Sequence, residues 1–331
     1  MQILLNKIYK GKKLTEIEAY KVFNSIIMGK VNNIQLSAIL IALKIKNESE
    51  DEIIGATRAF LEHMKPFSKP NYIFSDIVGT GGDLSNTINI STASSFVGAT
   101  CGLKVIKHCN THISSKSGSY DLLKEFDINI NISEHKSKEM LDKLNICFLF
   151  APQYHISFKN IMLVRKILKI KTLFNILGPL LNPSRPPLSI IGVYDYKLMI
   201  PIANILKKLN TIHAMIVCSN YTDEVTLHSF TNVVELYNSK IISYTLCPDD
   251  FGVKYHNKNT IIGGTPKENY EIIKNVFQGK GPIAVAETIA VNVAMLLKLF
   301  GNKNLKKNTK YALEVIHSGK VYETISNLSK F

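Results

Sequence analysis

Apolar positions recur at helical spacing through the first part of the chain. Thr15 and Glu18 have the spacing of a capping box, in which each side chain bonds the other residue's backbone N–H. Ser49 and Glu52 repeat this arrangement, and an apolar-rich run at residues 36–45 lies between the two boxes. These patterns predict that the N-terminal part of the chain consists of helices alone.

The pattern changes after residues 66–71, which are predicted to be a linker. Short apolar segments then alternate with helical ones: strands at 72–78, 103–107, 189–193 and 212–217, and helices that begin at Ser91, Ser119 and Lys197. A capping box at residues 265–268 opens mainly helical sequence to the end. The expected fold class is α/β, with a small helical domain at residues 1–70 and a large α/β domain at 71–331. Its mostly parallel sheet is expected to be flanked by helices.

Length and composition agree with this architecture. Of the 331 residues, 46% are hydrophobic and 20% charged, which suits a large core and not a disordered chain. The most apolar segment, residues 283–300, is interrupted by Glu287, Asn292 and Lys298, so it predicts a buried helix and no membrane span. The start of the chain lacks signal-peptide features, and the five cysteines have no paired spacing. We therefore expect a cytoplasmic protein with reduced thiols.

The formal net charge of +14 leaves two interpretations open. It could reflect an anionic partner, such as nucleic acid or a phosphorylated substrate. It could equally reflect a lysine-rich, solvated surface. The lysines are scattered and form no long block, which favours the second interpretation.

Two polar loops follow predicted strands and lead into predicted helices. The first, residues 76–83, contains three glycines and runs on to Ser91 and Thr92. Glycine lets backbone N–H groups approach an anion closely, and a helix N-terminus adds unpaired donors. The second, residues 107–119, contains two lysines, several hydroxyls and a glycine, a composition that suits phosphate oxygens. Two such loops at successive strand ends predict a substrate with two phosphate groups.

Acidic residues offer a complementary site. Asp223 and Glu224 are adjacent after the strand at 212–217, and Mg²⁺ usually takes one or two carboxylates together with substrate phosphates. His108 and His112 lie four residues apart but have no nearby third ligand, so zinc is not predicted. Arg165 has the fork geometry that binds a carboxylate, although its position alone favours an ordinary charge on a helix surface.

At this point the chain resembles the anthranilate phosphoribosyltransferases, which join anthranilate to phosphoribosyl pyrophosphate in tryptophan biosynthesis. The matching stretches follow in order along nearly the whole chain: Asp76–Asp83 (DIVGTGGD), Asn89–Ser94 (NISTAS), Ser114–Leu123 (SSKSGSYDLL), Phe148–His155 (FLFAPQYH), Thr172–Pro183 (TLFNILGPLLNP), Gly192–Asp195 (GVYD) and Gly263–Glu268 (GGTPKE).

The resemblance implies a set of binding residues. Those for phosphoribosyl pyrophosphate are Gly79, Gly82, Asp83, Thr87, Asn89, Ile90, Ser91, Thr92, Lys107, His108, Cys109, Asn110, Thr111, His112, Ile113, Ser114, Ser115 and Ser119. Those for anthranilate are Gly79, Asn110 and Arg165, with Arg165 opposite the carboxylate. The Mg²⁺ ligands are Ser91, Asp223 and Glu224. A homodimer formed by the helical domain, joined by part of residues 172–187, is also implied.

Four positions depart from the family pattern. Cys109 and Leu84 stand where glycine is usual, which strains the backbone wherever φ is positive. Thr111 replaces an arginine and His112 a serine, so the second loop loses one charged donor. These changes bear on efficiency more than on the type of reaction.

The reaction implied is displacement of Mg²⁺-bound pyrophosphate from the ribose by the anthranilate amine. His108 is a possible proton acceptor, but no catalytic residue is assigned. A nucleic-acid-binding protein of the same fold would have no need of Asp223, Glu224, Arg165 and Asn110 together. A pyrimidine nucleoside phosphorylase has a similar glycine loop but would need no Mg²⁺–diphosphate site. We therefore expect phosphoribosyl pyrophosphate, anthranilate and Mg²⁺ as ligands, with neither nucleic acid nor a membrane as a partner.

Overall fold

The structure, a computed structural model, describes residues 1–111 and 116–331. The predicted roles of His112, Ile113, Ser114 and Ser115 therefore lie outside the described residues. The chain divides into a helical unit, residues 1–68 and 151–185, and an α/β unit, residues 69–150 and 186–331. The expected fold class is confirmed. The second segment of the helical unit is longer than expected, because it takes in residues 151–171 as well.

The elements are bounded as follows. The helices are α1 (Gln2–Tyr9), α2 (Glu16–Ile27), α3 (Asn33–Lys46), α4 (Glu50–His63), α5 (Ile90–Thr100), α6 (Ser119–Glu125), α7 (Glu134–Leu144), α8 (Ala151–Tyr154), α9 (Phe158–Leu168), α10 (Leu173–Leu177), α11 (Met199–Lys208), α12 (Pro266–Phe277), α13 (Ile283–Leu299), α14 (Leu305–His317) and α15 (Lys320–Leu328). The strands are β1 (Ser75–Gly79), β2 (Val105–Cys109), β3 (Ile146–Phe150), β4 (Leu188–Gly192), β5 (His213–Cys218), β6 (Thr231–Tyr237) and β7 (Lys240–Leu246).

Capping boxes start the helices where the sequence predicts them. Reciprocal side-chain and backbone bonds are present at the N-terminus of α2, α4 and α12. Within the helical unit, the rings of Phe60, Phe158 and Phe174 pack edge to face or tilted, with centroids 4.8–5.6 Å apart. Edge-to-face packing of this kind adds to the stability that burial supplies, and it gives this unit an aromatic core.

Within the described part of the α/β unit, seven strands form one sheet in the order β3-β2-β1-β4-β5-β6-β7. The first five are parallel, and β6 and β7 add an antiparallel edge. Helix α13 is buried along almost its whole length and packs against α5 and α14, as its apolar sequence predicts. No helix in residues 1–111 and 116–331 is long and apolar enough to cross a bilayer.

The strands β3, β6 and β7 were not expected from the sequence. The turn between β6 and β7 places Asn238 and Ser239 at φ +46° and +64°, the left-handed conformation that tight hairpins require. Asparagine tolerates that conformation better than most residues, so Asn238 was the available signal for this hairpin.

Candidate active site

The site lies at one edge of the sheet, where the adjacent parallel strands β1, β2 and β4 reach their carboxyl ends. This is the edge at which open α/β sheets bind ligands. Residues 80–89 connect β1 to α5, and the described residues 110–111 and 116–118 follow β2 and precede α6. Asp223 and Glu224 follow β5. The acidic pair and the described parts of both loops therefore follow strands that end at the same edge of the sheet.

Asp223 is held against the glycine loop. Its Oδ2 atom accepts a hydrogen bond of 2.6 Å from the N–H of Gly81, whose φ is +64°. A Cβ atom on Gly79 would lie 2.3 Å from that same Oδ2 atom, and one on Gly192 would lie 1.6 Å from the Asp223 carbonyl oxygen. Glycine is thus required at position 192 by the main chain of Asp223, whereas a side chain at position 79 would displace the Asp223 carboxylate.

The rest of the first loop is held by hydrogen bonds within the loop and by a bridge to a later segment. Asp83 Oδ1 accepts a 3.1 Å hydrogen bond from the Ser85 N–H, and the Ser85 hydroxyl donates to the same carboxylate. Thr87 forms an isolated antiparallel bridge with Ile262. Leu84 has φ +59° and a side chain that is 73% exposed. The departure from glycine at this position therefore falls where the backbone is left-handed.

The Glu224 carboxylate lies against the N-terminus of α5. Its Oε1 atom accepts a 3.2 Å hydrogen bond from the Ser91 N–H, and the Ser91 hydroxyl accepts one of 3.2 Å from Lys107 Nζ. A carboxylate at a helix N-terminus meets unpaired N–H groups and the positive end of the helix dipole. Ser91, Glu224 and Lys107, predicted from separate stretches, are thus brought together.

An asparagine cluster joins the two loops. Asn89 donates from Nδ2 to the Ser117 carbonyl oxygen at 3.2 Å, and its Oδ1 atom accepts from the Ser117 hydroxyl. Asn269 of α12 donates to the same Oδ1 atom at 2.9 Å and accepts from the Gly264 N–H at 2.7 Å. Residues of the first loop, the second loop and the GGTPKE stretch therefore share one hydrogen-bonded cluster.

The charges of this edge favour a bound cation. Burial, and after it the nearby Asp83 carboxylate, raise the pKa of Asp223 to about 7. Burial and Asp223 likewise raise the pKa of Glu224 well above its usual range. Lys107 is almost fully buried, and burial lowers its pKa although Asp76 and Glu224 oppose that change.

The oxygen ligands of Asp223, Glu224 and Ser91 are those that a hard divalent cation prefers. Within the described ranges, 1–111 and 116–331, no group of three or more His, Cys, Asp and Glu side chains is arranged to share a metal. Mg²⁺ suits the two carboxylates because it completes its coordination with water and phosphate oxygens.

The described part of the second loop accounts for one of the departures. Cys109 is buried and is the last residue of β2. Its φ is not positive, so the change from glycine brings no left-handed strain. Thr111 donates its N–H to Asn110 Oδ1 at 2.9 Å. His108 is buried on β2, and Ser119 is the first residue of α6.

Arg165 belongs to the helical unit and lies near the end of α9. Its side chain is 5% exposed, so the interpretation as a surface charge is wrong. Its Nη2 atom donates to Asn175 Oδ1 at 3.4 Å, and the guanidinium lies 5.6 Å from the Phe174 ring centroid. Burial lowers its pKa to about 10. No carboxylate side chain in the described residues is paired with it.

Sequence reasoning missed several residues that hold the site. Gly192 was noted only within a family stretch, and the close approach that requires it depends on a segment 31 residues later. Asn269 gave no signal, because one asparagine on a polar helix is ordinary. Asn292 was noted only as an interruption of the apolar run at 283–300. Each of these residues acts through a contact that is distant in sequence.

Comparison with known proteins gives a consistent result. Residues 71–322 match the model of the glycosyl transferase family a/b domain, and residues 2–64 match that family's helical bundle domain. An anthranilate phosphoribosyltransferase of Buchnera aphidicola subsp. Melaphis rhois is 73% identical over 331 residues, covering 100% of both chains. The enzyme of that name from Buchnera aphidicola subsp. Schizaphis graminum is 59% identical and covers 99% of this chain and 98% of its own.

Comparison with solved structures leads to the same family. Anthranilate phosphoribosyltransferase from Thermus thermophilus is 30% identical, with a TM-score of 0.91, covering 99% of this chain and 98% of its own. The Saccharomyces cerevisiae enzyme in complex with PRPP and Mg is 28% identical, with a TM-score of 0.89, and the match covers 99% of this chain and 97% of the yeast chain. With full-length relatives at this identity and both family domains matched, the chain belongs to the anthranilate phosphoribosyltransferase family.

Proposed function

We propose that this chain transfers the phosphoribosyl group of phosphoribosyl pyrophosphate to the amine of anthranilate and releases pyrophosphate, a step of tryptophan biosynthesis. One observation carries the proposal most directly. The glycine loop, the N-terminus of α5 and the buried Lys107 meet the carboxylates of Asp223 and Glu224 at the ligand-binding edge of the sheet. The relatives over the full chain bear the name of this activity.

The proposed metal ligands are Asp223, Glu224 and Ser91, and the metal is Mg²⁺. When bound there, Mg²⁺ would supply positive charge to the departing pyrophosphate. The yeast relative was solved with PRPP and Mg, which supports the choice of ion. A cation would also stabilise the ionised form of the two carboxylates, whose pKa values are raised by burial first and by a neighbouring carboxylate second.

The remaining groups act by binding and orientation. Backbone N–H groups of the glycine loop and α5 are fixed dipoles beside the substrate phosphates, and fixed dipoles need no rearrangement as charge develops. Gly79 and Asn110 are proposed to contact anthranilate, and Arg165 to bind its carboxylate through two hydrogen bonds. Holding two small reactants in line supplies much of the rate, so no strong general base is required for a weakly basic aromatic amine.

We also propose a homodimer formed by the helical unit. Helices α1 and α3 pack together, as do α3 and α9, and all three carry strongly exposed isoleucines. Ile3, Ile34, Ile45 and Ile167 are 72–83% exposed. A concentration of large exposed apolar residues on neighbouring helices is typical of a surface covered by another protein.

The test of the function is loss of anthranilate fluorescence after mixing the protein with phosphoribosyl pyrophosphate and Mg²⁺. We expect turnover that EDTA abolishes and added Mg²⁺ restores. The double variant Asp223→Ala with Glu224→Ala should lose this turnover while it remains folded. The exposed acidic pair Asp249 and Asp250 supplies a matched control in the same unit. Activity like the wild type in the first double variant would refute the metal assignment.

A further inference from the structure

The main chain just after the acidic pair is held by one buried side chain. Asn292 lies in the middle of α13 and is 0% exposed. Its Oδ1 atom accepts a 3.2 Å hydrogen bond from the Val225 N–H, and its Nδ2 atom donates one of 2.8 Å to the Val225 carbonyl oxygen. One carboxamide thus satisfies both polar groups of a single residue's main chain, as a neighbouring strand would.

The same side chain is anchored to its own helix. Asn292 Nδ2 also donates to the Thr288 carbonyl oxygen at 2.9 Å, so the carboxamide uses both of its N–H groups. Its surroundings on α13 are apolar and buried, which leaves it no competing partner from water. The orientation of the carboxamide is therefore determined by the helix, and the helix in turn determines where Val225 lies.

The segment that carries the acids is held on both sides. Before the acids, Ser219 and Thr222 exchange two backbone hydrogen bonds in a turn, with Asn220 and Tyr221 at positive φ. After them, the bonds to Asn292 hold Val225. Asp223 and Glu224 thus lie between a tight turn and a clamped residue. A shift of Val225 would move Glu224 relative to the Ser91 N–H.

We infer that Asn292 is a positioning residue for the metal site: it holds Val225 so that Asp223 and Glu224 face the glycine loop and α5 at the distances that a shared cation requires. This inference rests on the proposed function, because it takes these two carboxylates as Mg²⁺ ligands. Groups that orient metal ligands typically change metal affinity ten- to a hundred-fold when they are removed.

The matched control is another buried asparagine of the α/β unit. Asn308 on α14 donates to the carbonyl oxygens of Ala294 and Asn302 and is 7% exposed, and neither of these partners belongs to the site. Asn308→Ala removes comparable hydrogen bonds from a comparable environment. General loss of stability should therefore be similar in Asn292→Ala and Asn308→Ala, whereas loss of metal binding should occur only in the former.

The measurement is Mn²⁺ binding by electron paramagnetic resonance, with phosphoribosyl pyrophosphate present and anthranilate absent. For Asn292→Ala we expect a dissociation constant at least about ten-fold above that of the wild type, and a similar rise in the Mg²⁺ concentration for half-maximal turnover. The KM for anthranilate should change less than about three-fold. Asn308→Ala should bind Mn²⁺ as the wild type does. Equal Mn²⁺ affinity in both variants would overturn the inference.

Two further measurements separate the possible failures. If the double variant Asp223→Ala with Glu224→Ala still binds Mn²⁺, the proposed metal site is wrong. If the double variant loses Mn²⁺ binding and Asn292→Ala keeps the wild-type affinity, only the role of Asn292 is wrong. Should Asn292→Ala not fold, hydrogen exchange of the wild type decides. The Val225 amide should then be protected on the order of a thousand-fold or more. Exchange as fast as in an exposed loop would overturn the clamp.

Discussion

Leu84 holds a backbone conformation that its side chain disfavours. A non-glycine residue in the left-handed region costs roughly 1–2 kcal/mol, and the exposed side chain of Leu84 gains little from burial in return. We predict that Leu84→Gly raises the free energy of unfolding by on the order of 1 kcal/mol, after the greater freedom of glycine in the unfolded chain is deducted.

Urea unfolding followed by circular dichroism measures this change. Leu163→Gly is the opposite control, because Leu163 is likewise exposed, at 51%, but lies inside helix α9, where glycine is unfavourable. The two variants should move the midpoint in opposite directions. A destabilised Leu84→Gly variant would show that Leu84 contributes an interaction that outweighs the strain.

Arg165 gives a second prediction at this scale. Lysine retains the charge but not the fork of donors, so Arg165→Lys should raise the KM for anthranilate at least about ten-fold. The KM for phosphoribosyl pyrophosphate should change less than about three-fold. Steady-state kinetics with each substrate varied in turn checks this. Arg58→Lys is the control, since Arg58 is exposed and paired with Glu16 on the surface. Equal effects on both substrates would contradict the carboxylate role.

Residues with a local signature could be predicted from the sequence, and residues defined by distant contacts could not. The glycine loop, Ser91 and the acidic pair were identified because glycines before a helix and adjacent carboxylates have recognisable chemistry. The burial of Arg165 was not predicted, because the segment 151–185 was not known to pack with residues 1–68. Asn269 and Asn292 look ordinary until their partners, far away in the sequence, are brought beside them.

Helices and strands also divide into those that a local sequence signature predicts and those that depend on distant contacts. Helices with capping boxes began where predicted, because a cap depends on residues three apart. The parallel strands β1, β2, β4 and β5 were found within a few residues of their observed bounds. The antiparallel pair β6 and β7 was missed, and the alternation of half-buried and exposed positions along β7 is interrupted at Ile242 and Ser243, which are both exposed. Strand β7 lies at the edge of the sheet and pairs with β6 alone, and the turn residue Asn238 is the local sign of this pairing.

Helix α8 and the segment after α10 are joined by a histidine that should make stability depend on pH. His155 is 3% exposed, and its Nε2–H donates to the Leu181 carbonyl oxygen at 2.9 Å. Burial lowers its pKa from 6.5 to about 4, although the hydrogen bond to Leu181 opposes the change. Between these values the unfolded chain binds a proton that the folded chain does not, so stability falls as the pH drops from 6.5 towards 4.

We predict that His155 contributes up to roughly 3 kcal/mol of this loss. His155→Gln keeps an N–H for Leu181 and does not titrate, so its unfolding free energy should fall less than that of the wild type between pH 7 and pH 4. Urea denaturation at pH 7, 5.5 and 4 measures the difference. His63→Gln, an exposed histidine of the same unit, should leave the wild-type pH dependence unchanged. Parallel curves for His155→Gln and the wild type would refute the assignment.

At the scale of the whole molecule, the proposed dimer predicts that charge on α3 separates the subunits. Ile34 and Ile45 are exposed near the two ends of that helix. We expect Ile34→Lys with Ile45→Lys to halve the mass measured by light scattering, because buried unpaired charge opposes association. Ile242→Lys on β7, where the isoleucine is also exposed, should leave the mass unchanged. A wild-type protein with the mass of one chain would remove the basis of the proposal.

The fold class could be predicted because the change from helical to alternating sequence is visible near residue 70. The return of the chain to the helical unit was only partly predicted, because short helices at 151–177 resemble those that cover a sheet.

Because residues 151–185 belong to the helical unit, the two units become complete at different times during synthesis. Synthesis proceeds from the N-terminus, so the last segment of the helical unit, which ends at residue 185, exists before β4 begins at Leu188. Strand β1 can pair with β4 only after β4 has been synthesised. Asp223, which accepts a hydrogen bond from the glycine loop, and the helix that carries Asn292 are synthesised later still. A nascent chain that ends between residues 186 and 222 would therefore contain every residue of the helical unit, together with a glycine loop that still lacks its Asp223 partner.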